Sequence, residues 1–174
     1  MTAVRAPADR DAAEAVRAVR WPGVAAGVGL GAFLDGIVLH QVLGWHHLVV
    51  AHRSADDLAG LQRNTFWDGV FHLAAWAVVA GAVYWLAANG AAARTAGPRR
   101  LTGLLLAGWG LFDLVDQVVF HLLLSAHHIR MVDEWLVYDA AYTVLGLALV
   151  VVGLRLALRQ PYSAGRSGRA TSVR

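Results

Sequence analysis

The chain has 174 residues, of which 57% are hydrophobic and 16% charged, a composition of a single membrane domain with little support for a soluble enzyme. Cysteine is absent, which excludes disulfides, thiolate metal sites, iron–sulfur clusters and cysteine nucleophiles, and leaves histidine, carboxylate and methionine as ligands. All fifteen basic residues are arginine, and their placement relative to the apolar runs makes the net charge of +3 an orientation signal, so no nucleic-acid partner is expected.

Residues 1–22 read as a cytoplasmic segment. Within it, residues 9–20 combine helical propensity with charge pairs, which suits either a short interfacial helix or a frayed tail before Trp21-Pro22-Gly23. No cleavable signal peptide is expected, because the first apolar run starts late and lacks a small-residue cleavage site. Four runs, 24–45, 66–88, 101–126 and 135–156, reach the roughly 20 residues that a helix needs to cross a bilayer. They predict an all-α, polytopic four-helix bundle over 23–158. Residues 159–174, rich in Gly, Ser and Arg, read as a disordered basic tail.

Twelve arginines flank the runs on the side of the termini, and only Arg53, Arg63 and Arg130 lie on the other side. By the positive-inside rule both termini are expected in the cytoplasm, with the chain in a cytoplasmic membrane and lipid as its first partner. Trp45, Trp67, Trp135 and Tyr138 fall where an outer aromatic belt is expected, and Gly23, Gly27 and Gly31 at intervals of four read as a close-packing face.

Two histidine boxes stand out from this background. Asp35-Gly-Ile-Val-Leu-His40-Gln-Val-Leu-Gly-Trp-His46-His47 and Asp116-Gln-Val-Val-Phe-His121-Leu-Leu-Leu-Ser-Ala-His127-His128 share the pattern D-x4-H-x5-H-H at the outer ends of the first and third spans. The second span opens with Asn64-Thr-Phe-Trp67-Asp68-Gly-Val-Phe-His72 and the fourth with Trp135-Leu-Val-Tyr138-Asp139-Ala-Ala-Tyr142-Thr143. The simplest reading is two duplicated helical hairpins, asymmetric because the fourth span lacks a counterpart of His72.

Ionisable residues inside a membrane segment are costly and mark a functional hypothesis. With a rise of about 1.5 Å per residue, His40, His72 and His121 lie roughly 8 to 9 Å below the outer helix ends, and Asp68 and Asp139 slightly higher. These five are the predicted metal ligands of an inner layer. His46, His47, His127 and His128 form an outer layer that is either a second site or an entry funnel, whereas His52, beside Arg53, reads as solvated. In an ideal α-helix Asp35 and Asp116 would be offset by more than about 100° from the box histidines. With Asp113 and Gln117, they are therefore assigned to supporting the ligands or to a proton path. Imidazole and carboxylate together suit copper, zinc or iron.

The paired boxes, the Asn64–His72 motif and Gly108-Trp-Gly-Leu-Phe-Asp113 resemble an uncharacterised bacterial membrane-protein family, domain of unknown function 2243, over about residues 24–155. The resemblance implies a four-helix membrane protein and brings no activity. The boxes are also loosely similar to those of membrane di-iron hydroxylases and desaturases, although H-x5-H-H departs from that family's spacing.

Several functions fit these residues. The leading one is a membrane metalloprotein near the extracytoplasmic face, acting as a metal-dependent oxidoreductase or hydrolase. A metal-delivery or assembly factor for a respiratory enzyme, with an extracytoplasmic partner, is a non-enzymatic alternative. A haem protein ligated by His40 and His121 is a weaker one. A proton-coupled transporter using Asp35, Asp113 and Asp116 is another, and with four spans it would act as a homo-oligomer. No phosphate-cradling loop, dinucleotide fingerprint or nucleophile elbow is present.

Overall fold

The computed structural model describes residues 7–49 and 58–159, so Arg5, His52, Arg53 and the tail from 160 onward lie outside the described residues. Helix α1, Pro7–Leu34, continues without interruption into a π-helical segment, Asp35–Val42. Helix α2 is Leu58–Ala88, the short α3 is Gly90–Ala96, and α4, Pro98–Asp116, again continues as a π-helical segment, Gln117–Leu123. Helix α5, Trp135–Leu158, ends the described chain.

Four stretches, Arg10–Val42, Leu58–Ala88, Pro98–Leu123 and Trp135–Leu158, are long and apolar enough to span a membrane. The protein is thus an all-α membrane protein, with no strand among the described residues. Residues 9–20 are helical but joined to the first span, with Pro22 inside α1 and no break there.

The helices neighbour one another in the order α2, α1, α4, α5. Among the described residues, the backbone of α2 approaches neither α4 nor α5, and that of α1 does not approach α5. The burial of each span follows from this order. The apolar windows of α1 and α4 are each 44% buried, against 11% for α2 and 17% for α5. The outer helices turn apolar side chains such as Leu73, Trp76, Val144 and Leu147 outward, as lipid-facing spans do.

The α1–α4 contact requires glycine. A Cβ on Gly27 would collide with the carbonyl of Leu105, and one on Gly108 with the carbonyl of Val24, so the two backbones touch at residues 81 positions apart. Close approach of small residues gives membrane helices the packing that a hydrophobic force cannot supply between apolar surfaces in lipid.

At the end of the bundle away from the boxes, Val19, Leu104 and Ala157 form a small apolar cluster. Ala92, Ala93 and Ala96 of α3 pack against it, and this helix lies in what sequence alone reads as a link. Gly97, at φ +79°, turns the chain, and Pro98 starts α4 at the position where its missing N–H costs nothing. Arg100 closes this end by donating from Nε to the carbonyl of Ala157, 2.9 Å away in the last turn of α5.

Candidate metal centre

The box end has a polar core. His121, Val19, Asn64, Asp68 and Asp113 are the largest fully buried side chains, and four of these five are polar. Such groups persist away from water only when they are paired or bind an ion.

The two π-helical segments build this core. A π-helix bonds i to i+5, so residues five apart come to share a face, and such segments concentrate at functional sites. Asp35 and His40 are five apart, as are Asp116 and His121. His40 Nε2 lies 3.2 Å from Asp35 Oδ2, and His121 Nε2 lies 3.3 Å from Asp116 Oδ2. The offset expected from an ideal α-helix therefore does not hold: the change of helix type brings each aspartate onto its own histidine.

The π segments also end alike. Leu43 N–H donates to Val38 O and Trp45 N–H to Leu39 O, at 2.9 Å each, and Leu124 and Ala126 do the same to Val119 and Phe120. Gly44 and Ser125 take left-handed conformations, at φ +58° and +46°, which reverse the chain just beyond the helix end. That reversal turns His46 and His127 back into the protein. Both are 2% exposed, and their rings stack at 4.5 Å with 14° between planes. The expected outer layer thus divides: His46 and His127 lie at the centre, while His47 and His128 stay partly exposed on its flanks.

One aspartate organises each half from the neighbouring helix. Asp68 on α2 accepts from His40 Nδ1 at 3.1 Å, His47 Nδ1 at 2.7 Å, Gln41 Nε2 at 3.2 Å and the Leu48 N–H at 3.0 Å. Asp139 on α5 accepts from His128 Nδ1 at 2.8 Å, the Ile129 N–H at 2.9 Å and Gln117 Nε2 at 3.3 Å, with His121 Nδ1 at 3.3 Å. Gln117 Oε1 also accepts from His121 Nδ1 at 3.0 Å. A carboxylate on one imidazole nitrogen orients the ring and leaves the other nitrogen free as a ligand.

His46 carries this logic furthest. Its Nδ1 lies 2.9 Å from the carbonyl of Ile129, which can only accept, so the proton sits on Nδ1 and the lone pair on Nε2. That Nε2 faces Asp35 Oδ1 at 3.9 Å, and neither atom has a hydrogen bond within the protein. Two acceptors facing each other in a buried site leave a place that a shared proton, a water or a cation could fill. Burial pushes the imidazoles of His46 and His127 down to about 3, so both rings are neutral and ligand-competent near pH 7.

Three groups bring donor atoms within 4.8 Å of one another: Asp35, His40 and His46; Asp116, His121 and His127; and His121, His128 and Asp139. Bond lengths of about 2.0 to 2.2 Å put tetrahedral ligands about 3.3 Å apart, close to the 3.2 and 3.3 Å found within the first two groups. Imidazole nitrogen and carboxylate oxygen together make a donor set that could hold a metal ion.

Of the predicted inner layer, His40, His121 and Asp139 belong to these groups, and Asp68 and His72 do not. His40 is brought together with Asp68, and His121 with Asp139, in separate halves. His72 stands apart: its Nδ1 donates to the Asp68 carbonyl at 2.7 Å, and its Nε2 lies against Gly36, in the space a Cβ there would need. Asp113 is buried on α4 and faces a cavity beside Tyr142. Gln41 is a residue that sequence reasoning missed, since Leu122 occupies the matching place in the second box.

No curated protein and no solved structure matches the chain. The family model described as predicted membrane protein (DUF2243) matches residues 22–160, a segment that holds both boxes and the two organising aspartates, Asp68 and Asp139, and the chain belongs to that family.

Proposed function

We propose that this membrane protein binds two transition-metal ions, of copper, zinc or iron, one at Asp35, His40 and His46 and one at Asp116, His121 and His127. The observation that carries the reading is the buried pair of His46 Nε2 and Asp35 Oδ1, two acceptors facing each other with no donor between them. Support comes from the orienting contacts of Asp68 and Asp139, which point the Nε2 atoms of His40 and His121 at the carboxylates of their own boxes. On the arginine distribution, we place this site near the extracytoplasmic face, with both termini in the cytoplasm.

A bound ion of this kind supplies Lewis-acid or redox chemistry, which suits an oxidoreductase or a hydrolase. The residues themselves hold and orient. Asp68 and Asp139 fix ring direction, and each also links a buried histidine to a partly exposed one, His47 or His128. A delivery or assembly factor would use those same exposed histidines to pass ions to a partner. Haem ligation by His40 and His121 has less support, because each Nε2 already faces its own aspartate.

A second reading has its own observation. The chain Asp35, His40, Asp68, His47 is continuous at 3.2, 3.1 and 2.7 Å from the buried core to a partly exposed ring, as a proton path would be. X-ray absorption on protein reconstituted separately with copper, zinc and iron decides between the two. Nitrogen and oxygen ligation with imidazole scattering from a buried site supports the metal reading. Protein that retains none of the three metals overturns it and leaves the proton path.

A further inference from the structure

Beyond the candidate metal centre, a cavity of about 440 Å³ lies beside α4, between α1 and α5. Its size is that of a small-molecule pocket. Four aromatic rings, Trp45, Trp109, Tyr138 and Tyr142, line it together with Asp35 and Asp113. Leu34, Val38 and Leu145 also line it, and all three are exposed on the apolar surface of membrane-spanning stretches, so its mouth faces hydrocarbon.

The inner end is polar and incompletely satisfied. Asp113 is 1% exposed and has the Tyr142 hydroxyl and the Trp109 side chain beside it, while its Oδ2 and Asp35 Oδ1 are buried with no well-formed hydrogen bond in the protein. Each such atom costs free energy unless something occupies it. The matching groove on the other half lacks the Asp113–Tyr142 pair: Phe71 stands where Tyr142 does, Ala32 where Asp113 does, and Phe112 where Gly31 does. Phe71 and Phe112 fill it, with ring centroids 6.2 Å apart.

We propose that this cavity binds a lipid-soluble hydroquinone. Its flat ring would lie among the four aromatics, its hydroxyls would donate to Asp113 and Asp35, and its apolar tail would leave past Leu34, Val38 and Leu145. The surroundings select this chemistry. The inner end gathers the carboxyl groups of Asp35 and Asp113, with no basic side chain among the lining residues to receive a carboxylate or phosphate head. At the outer end, the Arg130 guanidinium lies over Trp45 and Tyr138, 5.3 and 5.1 Å from their centroids, and occupies the faces that a cationic head would use. A donor with a planar apolar ring fits both ends.

The proposal does not rest on metal occupancy, although Asp35 belongs to both places. The test uses the full chain in lipid nanodiscs, titrated with a decyl-substituted hydroquinone while tryptophan fluorescence is followed. Saturable quenching is expected, with affinity on the order of tenfold weaker for the dimethyl ether of the same compound, which cannot donate. Asp113→Leu and Tyr142→Phe are each expected to weaken binding by a similar factor. Ala141→Phe, which fills the cavity from its exposed rim, is expected to abolish the saturable phase and keeps the test decisive should Asp113→Leu fail to fold. Leu73→Ala, on the outward face of α2 and outside the cavity wall, is expected to bind hydroquinone as the parent does.

Equal binding of the hydroquinone and its ether, or binding unaffected by Ala141→Phe, overturns the proposal. Metal loading without saturable quenching refutes the cavity reading alone. Quenching in protein that binds no metal refutes the metal reading alone.

Discussion

The two halves of the bundle share a frame and differ in what surrounds it. In each, an aspartate from the outer helix holds two box histidines and a backbone N–H, and an aromatic ring stacks on the deeper histidine: Phe71 on His40 at 5.6 Å, Tyr142 on His121 at 6.1 Å. Beyond those rings the resemblance stops. The groove beside Phe71 is filled by Phe112 and His72, whereas the one beside Tyr142 is hollow and ends on Asp113.

The largest expected effect is on what joins the halves. Gly27→Leu or Gly108→Leu places a side chain against a backbone carbonyl, with no flexible group to yield, and overpacking of this kind costs about 3 kcal/mol or more. Loss of the monodisperse folded peak in detergent chromatography is the expected result, and a normal peak would show that α1 and α4 do not meet there.

Opening the filled groove comes next. Phe71→Ala is expected to lower stability by about 3 kcal/mol, and Tyr142→Ala, beside space already open, by clearly less. Thermal unfolding of the two variants in one detergent measures the contrast, and equal losses would mean that the grooves are alike. Asp68→Ala and Asp139→Ala each remove an orienting carboxylate, and each is expected to weaken metal binding in its own half by tenfold to a hundredfold. Competition with a chelator reads this out.

The smallest effect concerns the turns after the π segments. Ser125 takes a left-handed conformation that costs an L-residue about 1 kcal/mol, and Gly44 takes it freely. Ser125→Gly is expected to stabilise and Gly44→Ala to destabilise, each by up to about 1 kcal/mol. Opposite shifts in denaturation midpoint bear this out; shifts of the same sign would not.

Much of this was legible in the sequence. The four apolar runs required spanning helices, and the recurrence of D-x4-H-x5-H-H after 81 residues marked the two places where chemistry gathers. The partnership of Asp35 with His40 was not legible, because a period of 3.6 puts them on different faces and only a π segment aligns them. The inward turn of His46 was hidden for a related reason. It depends on a single backbone reversal at Gly44, repeated at Ser125, where the residue type does not announce it. The difference between the grooves depends on which rings meet across α1, α2, α4 and α5, a tertiary matter that no single segment encodes.

Metal stoichiometry by half tests the central claim most directly. Protein reconstituted with a single metal and freed of excess by dialysis is expected to carry two ions per chain. One ion should remain in Asp35→Ala/His46→Ala, one in Asp116→Ala/His127→Ala, and none in the variant that combines all four substitutions. Wild-type protein that holds no metal, or four-fold variant protein that holds as much as wild type, would contradict it.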